Sequence, residues 1–275
     1  MGICIFRAQV EITSGAKKIP STSPAKIMDI RFDGKRAIVT GAGKGIGRAL
    51  TLKLIECGAE VIAISRTQSD LDELRKISPK IQPLCLDIGV WDATKEAINN
   101  IGPVDYLVNN AAILLSKEYG ELTEEDLNNT LNINVKAIVN ITQIVANGMK
   151  ERGLGGSIVN VSSMLALYAV QGYGSYCASK GAVHQLTRSM ALEYGSYNIR
   201  VNSVNPTVVR TPMTEKINIF DPSNEFGTAM KNRTPLRRFC EPEDVVYPIL
   251  FLLSDKAAMV TGIAMPIDGG LGICF

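Results

Sequence analysis

The 275-residue sequence predicts an α/β fold: a single domain built on a doubly wound, parallel, seven-stranded sheet. Three observations carry this. From Lys35 onward, short strand-like runs alternate with helical segments. The runs are continuously apolar, as strands covered on both faces must be. The first run closes on a glycine-rich turn that opens a helix.

The strands are expected at 36–40, 60–65, 81–86, 104–108, 157–161, 200–204 and 264–267. The first is followed by a helix running through Cys57, and residues 69–76 form a charged amphipathic helix. Residues 211–235 are long and polar enough for a mobile lid. No linker divides 28–275. Residues 1–27 lack a steady period and end in Pro20-Ser21-Thr22-Ser23-Pro24, which reads as a disordered extension.

Composition removes several classes of function. Net charge is +2, and residues 1–27 carry +3 of it (Arg7, Lys17, Lys18 and Lys26 against Glu11), leaving −1 for the body. A near-neutral body offers no broad field for nucleic acid. No apolar run reaches the ~18–20 residues of a membrane span, and the longest candidate, 245–253, is interrupted by Pro248. Six cysteines without a C-x-x-C pair read as free thiols in a reducing compartment, hence a cytoplasmic protein. With His184 as the only histidine, no Cys/His metal site is expected, and a Ser-His-Asp hydrolase would rest on that residue alone. His184 reads instead as a structural or interface residue of its helix.

Three segments carry chemistry. In Thr40-Gly41-Ala42-Gly43-Lys44-Gly45-Ile46-Gly47-Arg48 the glycines allow a tight turn, so the backbone can approach a pyrophosphate seated on the next helix. At the end of the second strand, Ser65-Arg66-Thr67 stands where a dinucleotide site selective for NAD places a carboxylate. Arg66, with Lys44 approaching from the glycine loop, suits a phosphate and favours NADP(H) over NAD(H). In the third segment, Tyr176 and Lys180 are four residues apart, hence on one helix face, and Ser163 is read as the end of the fifth strand. A phenol near an ammonium should lose its proton more readily than a free tyrosine, becoming a usable general acid for a carbonyl receiving hydride. Ser163 would polarise the same carbonyl. Taken alone, Y-x-x-x-K is a surface pattern; its weight comes from coexistence with the other two segments in strand order.

With these motifs in order, and with Asn109-Asn110-Ala111-Ala112 and Asp268-Gly269-Gly270, the chain from about 30 to 270 resembles the short-chain dehydrogenases/reductases, a Rossmann-type family. The resemblance implies that Asn134 completes a catalytic tetrad with Ser163, Tyr176 and Lys180, holding a water in a proton relay with Lys180. It also implies that Asp87 and Ile88 contact adenine, that Asn109 steadies the sheet, and that Asn110 and Ala111 lie along the cofactor. Lys180 would bind the ribose, while Val208 and Thr211 would hold the nicotinamide carboxamide and a nearby phosphate.

Ala112 in place of the usual glycine, and Pro206-Thr207 in place of Pro-Gly, point to a narrower group. That group reduces α-dicarbonyls, and L-xylulose to xylitol, with NADPH, as homotetramers. The likeness thins at the substrate: Tyr173 replaces that group's histidine, and Ile217-Asn218-Ile219-Phe220 lacks its tryptophan. Tyr173, Ser163 and Tyr176 are the expected substrate contacts. Two other readings stay open: the same mechanism on a hydroxysteroid or 3-oxoacyl substrate, and a cofactor-binding protein with a structural role.

Overall fold

Seven short apolar segments lie side by side, all parallel, in the order β3-β2-β1-β4-β5-β6-β7. The structure is a computed structural model that describes residues 29–274, so the reading of 1–27 as an extension lies outside the described residues. The elements are β1 (Arg36–Thr40), α1 (Gly45–Glu56), β2 (Glu60–Ser65), α2 (Gln68–Ile77), β3 (Ile81–Cys85), α3 (Trp91–Asn99) and β4 (Tyr106–Asn109). Then come α4 (Glu124–Leu131), α5 (Ala137–Arg152), β5 (Gly156–Val161), α6 (Gly174–Tyr194) and β6 (Ile199–Pro206). The chain closes with α7 (Pro212–Glu215), α8 (Glu225–Arg233), α9 (Pro242–Leu253) and β7 (Ala264–Ile267).

Strand residues alternate between two cores, which is why the runs read as unbroken apolar stretches. Ala37, Val39, Val61, Ala63 and Val159 pack with α1, α2 and α9. Ile38, Ile62, Ile64, Leu107 and Ile158 pack with α3, α5 and α6 on the other face. The fourth strand starts two residues later than the sequence suggests. Asp105, just before it, turns its carboxylate onto the Arg36 amide (3.0 Å) and the Arg152 guanidinium (3.2 Å), while its main chain bonds the Arg36 carbonyl (2.9 Å) and the Ser157 amide (3.2 Å) at the strand edge.

Two features bring the site together. The strand order reverses between β1 and β4, opening a crevice at their carboxyl ends. A buried polar ladder then locks the central strands to the helices below them. Asn109 donates to Asn160 Oδ1 (2.9 Å) and Thr142 Oγ1 (3.0 Å), and Asn160 donates to Thr187 Oγ1 (2.9 Å). The steadying role expected of Asn109 is thus shared with Asn160. The 211–235 segment is not a plain loop: it carries α7 and α8. Its middle is pinned by Phe220, edge-on to Phe239 (5.0 Å) and under the Arg210 guanidinium (4.2 Å).

Asn160→Ala is expected to cost about 2–3 kcal/mol, because it leaves buried donors and acceptors on two elements unpaired. Urea denaturation midpoints check this, and a loss below about 1 kcal/mol would show that the ladder is not a structural lock.

Candidate active site

The crevice at the carboxyl edge is a cleft of about 560 Å³. Its floor is the turn from β1 into α1. Gly41 sits at φ +66°, and a Cβ there would lie 2.9 Å from the Ala111 Cα. Gly47 lies under the turn, not on its surface: a Cβ there would fall 2.2 Å from the Gly41 carbonyl oxygen. Only glycine lets α1 begin this close to the strand. The Asn110 side chain braces the turn, donating to the Thr40 and Gly41 carbonyls (2.9 and 3.2 Å). Thr40 Oγ1 accepts the amides of Asn110 and Ala111 (2.9 and 3.0 Å). Gly41, Gly43, Lys44, Gly45, Ile46, Asn110 and Ala111 all line the cleft.

Ser65, Arg66 and Thr67 form one wall of the cleft, with Ile88 buried beside them. Each of the two cations already faces a carboxylate: Lys44 Nζ lies 3.5 Å from Asp70, and Arg66 lies 4.0 Å from Asp87. Asp87 therefore meets Arg66 and is not part of the cleft wall, while its neighbour Ile88 is. Asp70 was not expected. It stands in the first turn of α2, beyond the strand-end triplet where a carboxylate is normally sought. A Cβ on Gly43 would meet its side chain at 2.8 Å.

Tyr176, Lys180, Ser163 and Asn134 are all buried. Ser163 does not end β5: that strand stops at Val161, and Ser163 caps a 3₁₀ turn, its Oγ accepting the Leu165 amide (3.1 Å). Its carbonyl accepts from Asn205 on β6 (2.9 Å), which fixes the turn to the sheet. Lys180 Nζ donates to the Val161 carbonyl (2.8 Å) and lies 5.6 Å from the Tyr176 ring centre. Asn134 sits on a π-turn (Asn132–Lys136), a local widening often found at functional positions. Its side chain accepts the Ile113 amide (2.9 Å) and donates to the Ile113 carbonyl (3.0 Å) and Ser179 Oγ (3.1 Å).

Burial sets the proton affinities here. It pushes the Tyr176 phenol up to about 12, with the hydrogen bond to Ser163 pulling the other way. It brings Lys180 down to about 8. The expectation that the ammonium would lower the tyrosine is thus reversed: desolvation outweighs a cation held away on a strand-end carbonyl. The phenol is held as a proton donor at neutral pH.

Other positions sort as follows. Thr211 lines the cleft and abuts Gly45, where a Cβ would lie 3.0 Å from its methyl group. Val208 does not line it. The strand leaves β6 with Thr207 and Val209 facing in, while the Val208 carbonyl is engaged by the Cys240 amide (3.1 Å). Thr207 was missed, and its buried hydroxyl has no hydrogen-bond partner among the described residues. Tyr173 lines a neighbouring cavity of about 890 Å³. His184 Nδ1 is buried without a partner among the described residues, away from both cavities. No group of three or more metal-type side chains gathers among the described residues.

This fold and this cleft define an oxidoreductase: the chain belongs to the short-chain dehydrogenase/reductase family, and the family model described as enoyl-(acyl carrier protein) reductase matches residues 41–272. It is 50% identical to L-xylulose reductase of Mus musculus, over 88% of this chain and 98% of that protein. It is 48% identical to carbonyl reductase (NADPH) 2 of Sus scrofa over the same shares. A gluconate 5-dehydrogenase from Burkholderia cenocepacia J2315, solved in complex with NADP and tartrate, superposes with a TM-score of 0.83 at 28% identity, covering 89% of this chain and 98% of that one.

The pH titration of tyrosinate absorbance in wild type minus Tyr176→Phe is expected to stay flat to about pH 10, since burial raises this phenol. A component titrating near about pH 7–8 would contradict the assignment.

Proposed function

We propose that the chain is an NADP(H)-dependent carbonyl reductase of α-dicarbonyls and small ketoses such as L-xylulose (to xylitol), with Tyr176 as general acid. The observation that carries this reading is the buried Ser163–Tyr176–Lys180 cluster at the end of a glycine-floored cleft whose far wall holds Lys44 and Arg66. The names of the two relatives, an L-xylulose reductase and an NADPH carbonyl reductase, agree with it.

The cleft fits NADP(H). Glycines leave room where a side chain would fill the cradle, two cations stand where a 2′-phosphate would lie, and the unpartnered Thr207 hydroxyl waits at the other end. Lys44 and Arg66 would hold that phosphate, turning from Asp70 and Asp87 to do so. Lys180 would hold the ribose, and Thr207 with Thr211 the carboxamide end. When bound, NADPH supplies a hydride to the substrate carbonyl carbon.

The chain's own residues do the rest. Ser163 Oγ donates a hydrogen bond to the carbonyl oxygen and fixes its direction. Tyr176 Oη gives its proton to that oxygen as negative charge develops, and burial keeps this proton in place until then. Lys180, once its charge lies beside the developing phenolate, stabilises it. The Asn134 side chain is spent on Ile113 and Ser179, so its part in the proton relay falls to its main-chain carbonyl and a water. The assembly is a homotetramer of the cytoplasm, a reading that family resemblance, the exposed Leu192 and Met259, and the unpaired described cysteines support. No described helix is long and apolar enough to cross a membrane.

Tyr176→Phe is expected to lower kcat for α-diones by about 10²–10⁴-fold with the melting temperature little changed. A variant within about threefold of wild type would remove the phenol from the mechanism. Lys44→Ala and Arg66→Ala should each weaken NADPH by about 10-fold or more while sparing NADH, because each loses a charge-assisted contact to phosphate. Equal losses for both cofactors, read by fluorescence titration, would show that neither residue meets the 2′-phosphate.

A further inference from the structure

The second cavity, about 890 Å³, lies next to the catalytic cluster along three stretches of chain. Ser163 lines the cleft and Met164 and Leu165 line the cavity; Tyr176 and Tyr173 divide in the same way, as do Lys216 and Ile217. Its walls are the 164–173 segment, the lid with α8 and the 116–121 stretch, and Leu271 lines it as well. A five-carbon sugar displaces on the order of five waters, ~150 Å³. The cavity is far larger than that, and in the range that takes ligands of drug size.

Its chemistry is the stronger point. Met164, Leu165, Val170, Ile217, Ile219 and Met230 give it aliphatic walls. Most of the polar groups among its lining residues are already engaged within the protein, Ser116, Glu121 and the Tyr173 hydroxyl being the exceptions among the described residues. Lys117 is paired with Asp126 (2.6 Å), and Gln171 donates to Glu118 (3.3 Å). Asn224 Oδ1 caps α8 by accepting the Gly227 amide (2.8 Å). Tyr168 donates to the Gly272 carbonyl (2.7 Å), and Arg233 to that of Cys274 (2.9 Å). A polyol placed here would trade water for walls that answer few of its hydroxyls, and each unanswered hydroxyl costs about 1–3 kcal/mol. An alkyl chain gains from the same walls.

We infer that this cavity is a subsite for an apolar arm, so that the chain's preferred substrates are α-diones or ketones with an alkyl chain of several carbons, ahead of polyhydroxylated ketoses. The inference rests on the reductase reading above and names the substrate class of that same site. The carbonyl sits at Ser163 and Tyr176, and the arm runs between Leu165 and the lid. The departures at Tyr173 and Ile217-Asn218-Ile219-Phe220 fall on or beside this cavity, where a sugar-binding surface would call for hydrogen-bonding groups. Tyr173 brings an aromatic ring, and Ile217 and Ile219 bring apolar bulk.

The test is NADPH oxidation by straight-chain α-diones from butanedione to octanedione, beside L-xylulose, in the wild-type chain and in Ala229→Trp. Ala229 lies on α8 at the cavity wall, and the indole would fill the space. In wild type, kcat/KM is expected to rise about threefold per added methylene over the first few, most of it through KM. Octanedione should exceed L-xylulose by at least about 10-fold, and Ala229→Trp should flatten the gradient. A second readout without turnover is calorimetric binding of the same diones to Tyr176→Phe, where affinity should climb with chain length in the same way. A flat or falling gradient in both readouts, or L-xylulose preferred over octanedione, overturns the apolar subsite. Failure to reduce any dione or the sugar, with binding still rising along the series, overturns the reductase reading and leaves the subsite standing.

Discussion

Burying the ammonium of Lys180 is the costly step in this architecture, and the carboxyl edge of the sheet is arranged to meet it. The side chain is 2% exposed. Its fall from 10.5 to about 8 represents roughly 3 kcal/mol against the charged form. The compensation is one strand-end carbonyl, Val161, at 2.8 Å. That carbonyl is in place because β5 stops there. The Asn109–Asn160–Thr187 ladder ties β4 and β5 to α6, the helix that carries both Lys180 and Tyr176. Asn205 anchors the Ser163 turn from the neighbouring strand, and Asn134 holds the start of α6 through Ser179. Each of these bonds is internal and buried, so the cluster is positioned before any substrate arrives.

The same burial divides the labour between phenol and ammonium. A tyrosine in water holds its proton too firmly to exchange it readily near neutrality, and here burial tightens the hold further. That keeps the phenol protonated at neutral pH but makes it a weak acid, so proton transfer depends on charge building on the neighbouring oxygen and on the Lys180 ammonium beside the developing phenolate. The opposite end of the cleft is governed by exposed charge. Lys44 and Arg66 are themselves exposed, resting 3.5 Å from the mostly covered Asp70 and 4.0 Å from the half-exposed Asp87, and ion pairs this long with an exposed cation contribute little stability. They can turn to a phosphate at small cost, so selectivity between cofactors is separated from the rigid chemistry at the other end.

Much of this was legible in the sequence, because backbone constraints leave marks on residue type. The turn after β1 demands glycine at positions 41 and 47, and the apolar runs announce strands buried on both faces. The i, i+4 spacing put Tyr176 and Lys180 on one helix face, as found. What escaped depends on contacts between distant segments. Asp70 enters the site only because α2 folds back over the glycine turn, and Thr207 replaces Val208 because the chain's exit from β6 turns that residue away. The direction of the Tyr176 shift depends on how completely the ring is buried and on which group claims the ammonium, neither of which a motif reveals. The second cavity arises from the 164–173 segment meeting a lid that composition presented as a polar loop, although most of its inward residues are apolar.

The most direct measurement is the rate of NADPH oxidation by butanedione in the full chain, compared with NADH under the same conditions. If the buried cluster is a proton-donating site and the cationic wall reads a 2′-phosphate, oxidation depends on the dione and is at least about 10-fold faster with NADPH. Tight NADPH binding without any dione-dependent oxidation would contradict the account, as would equal rates with the two cofactors.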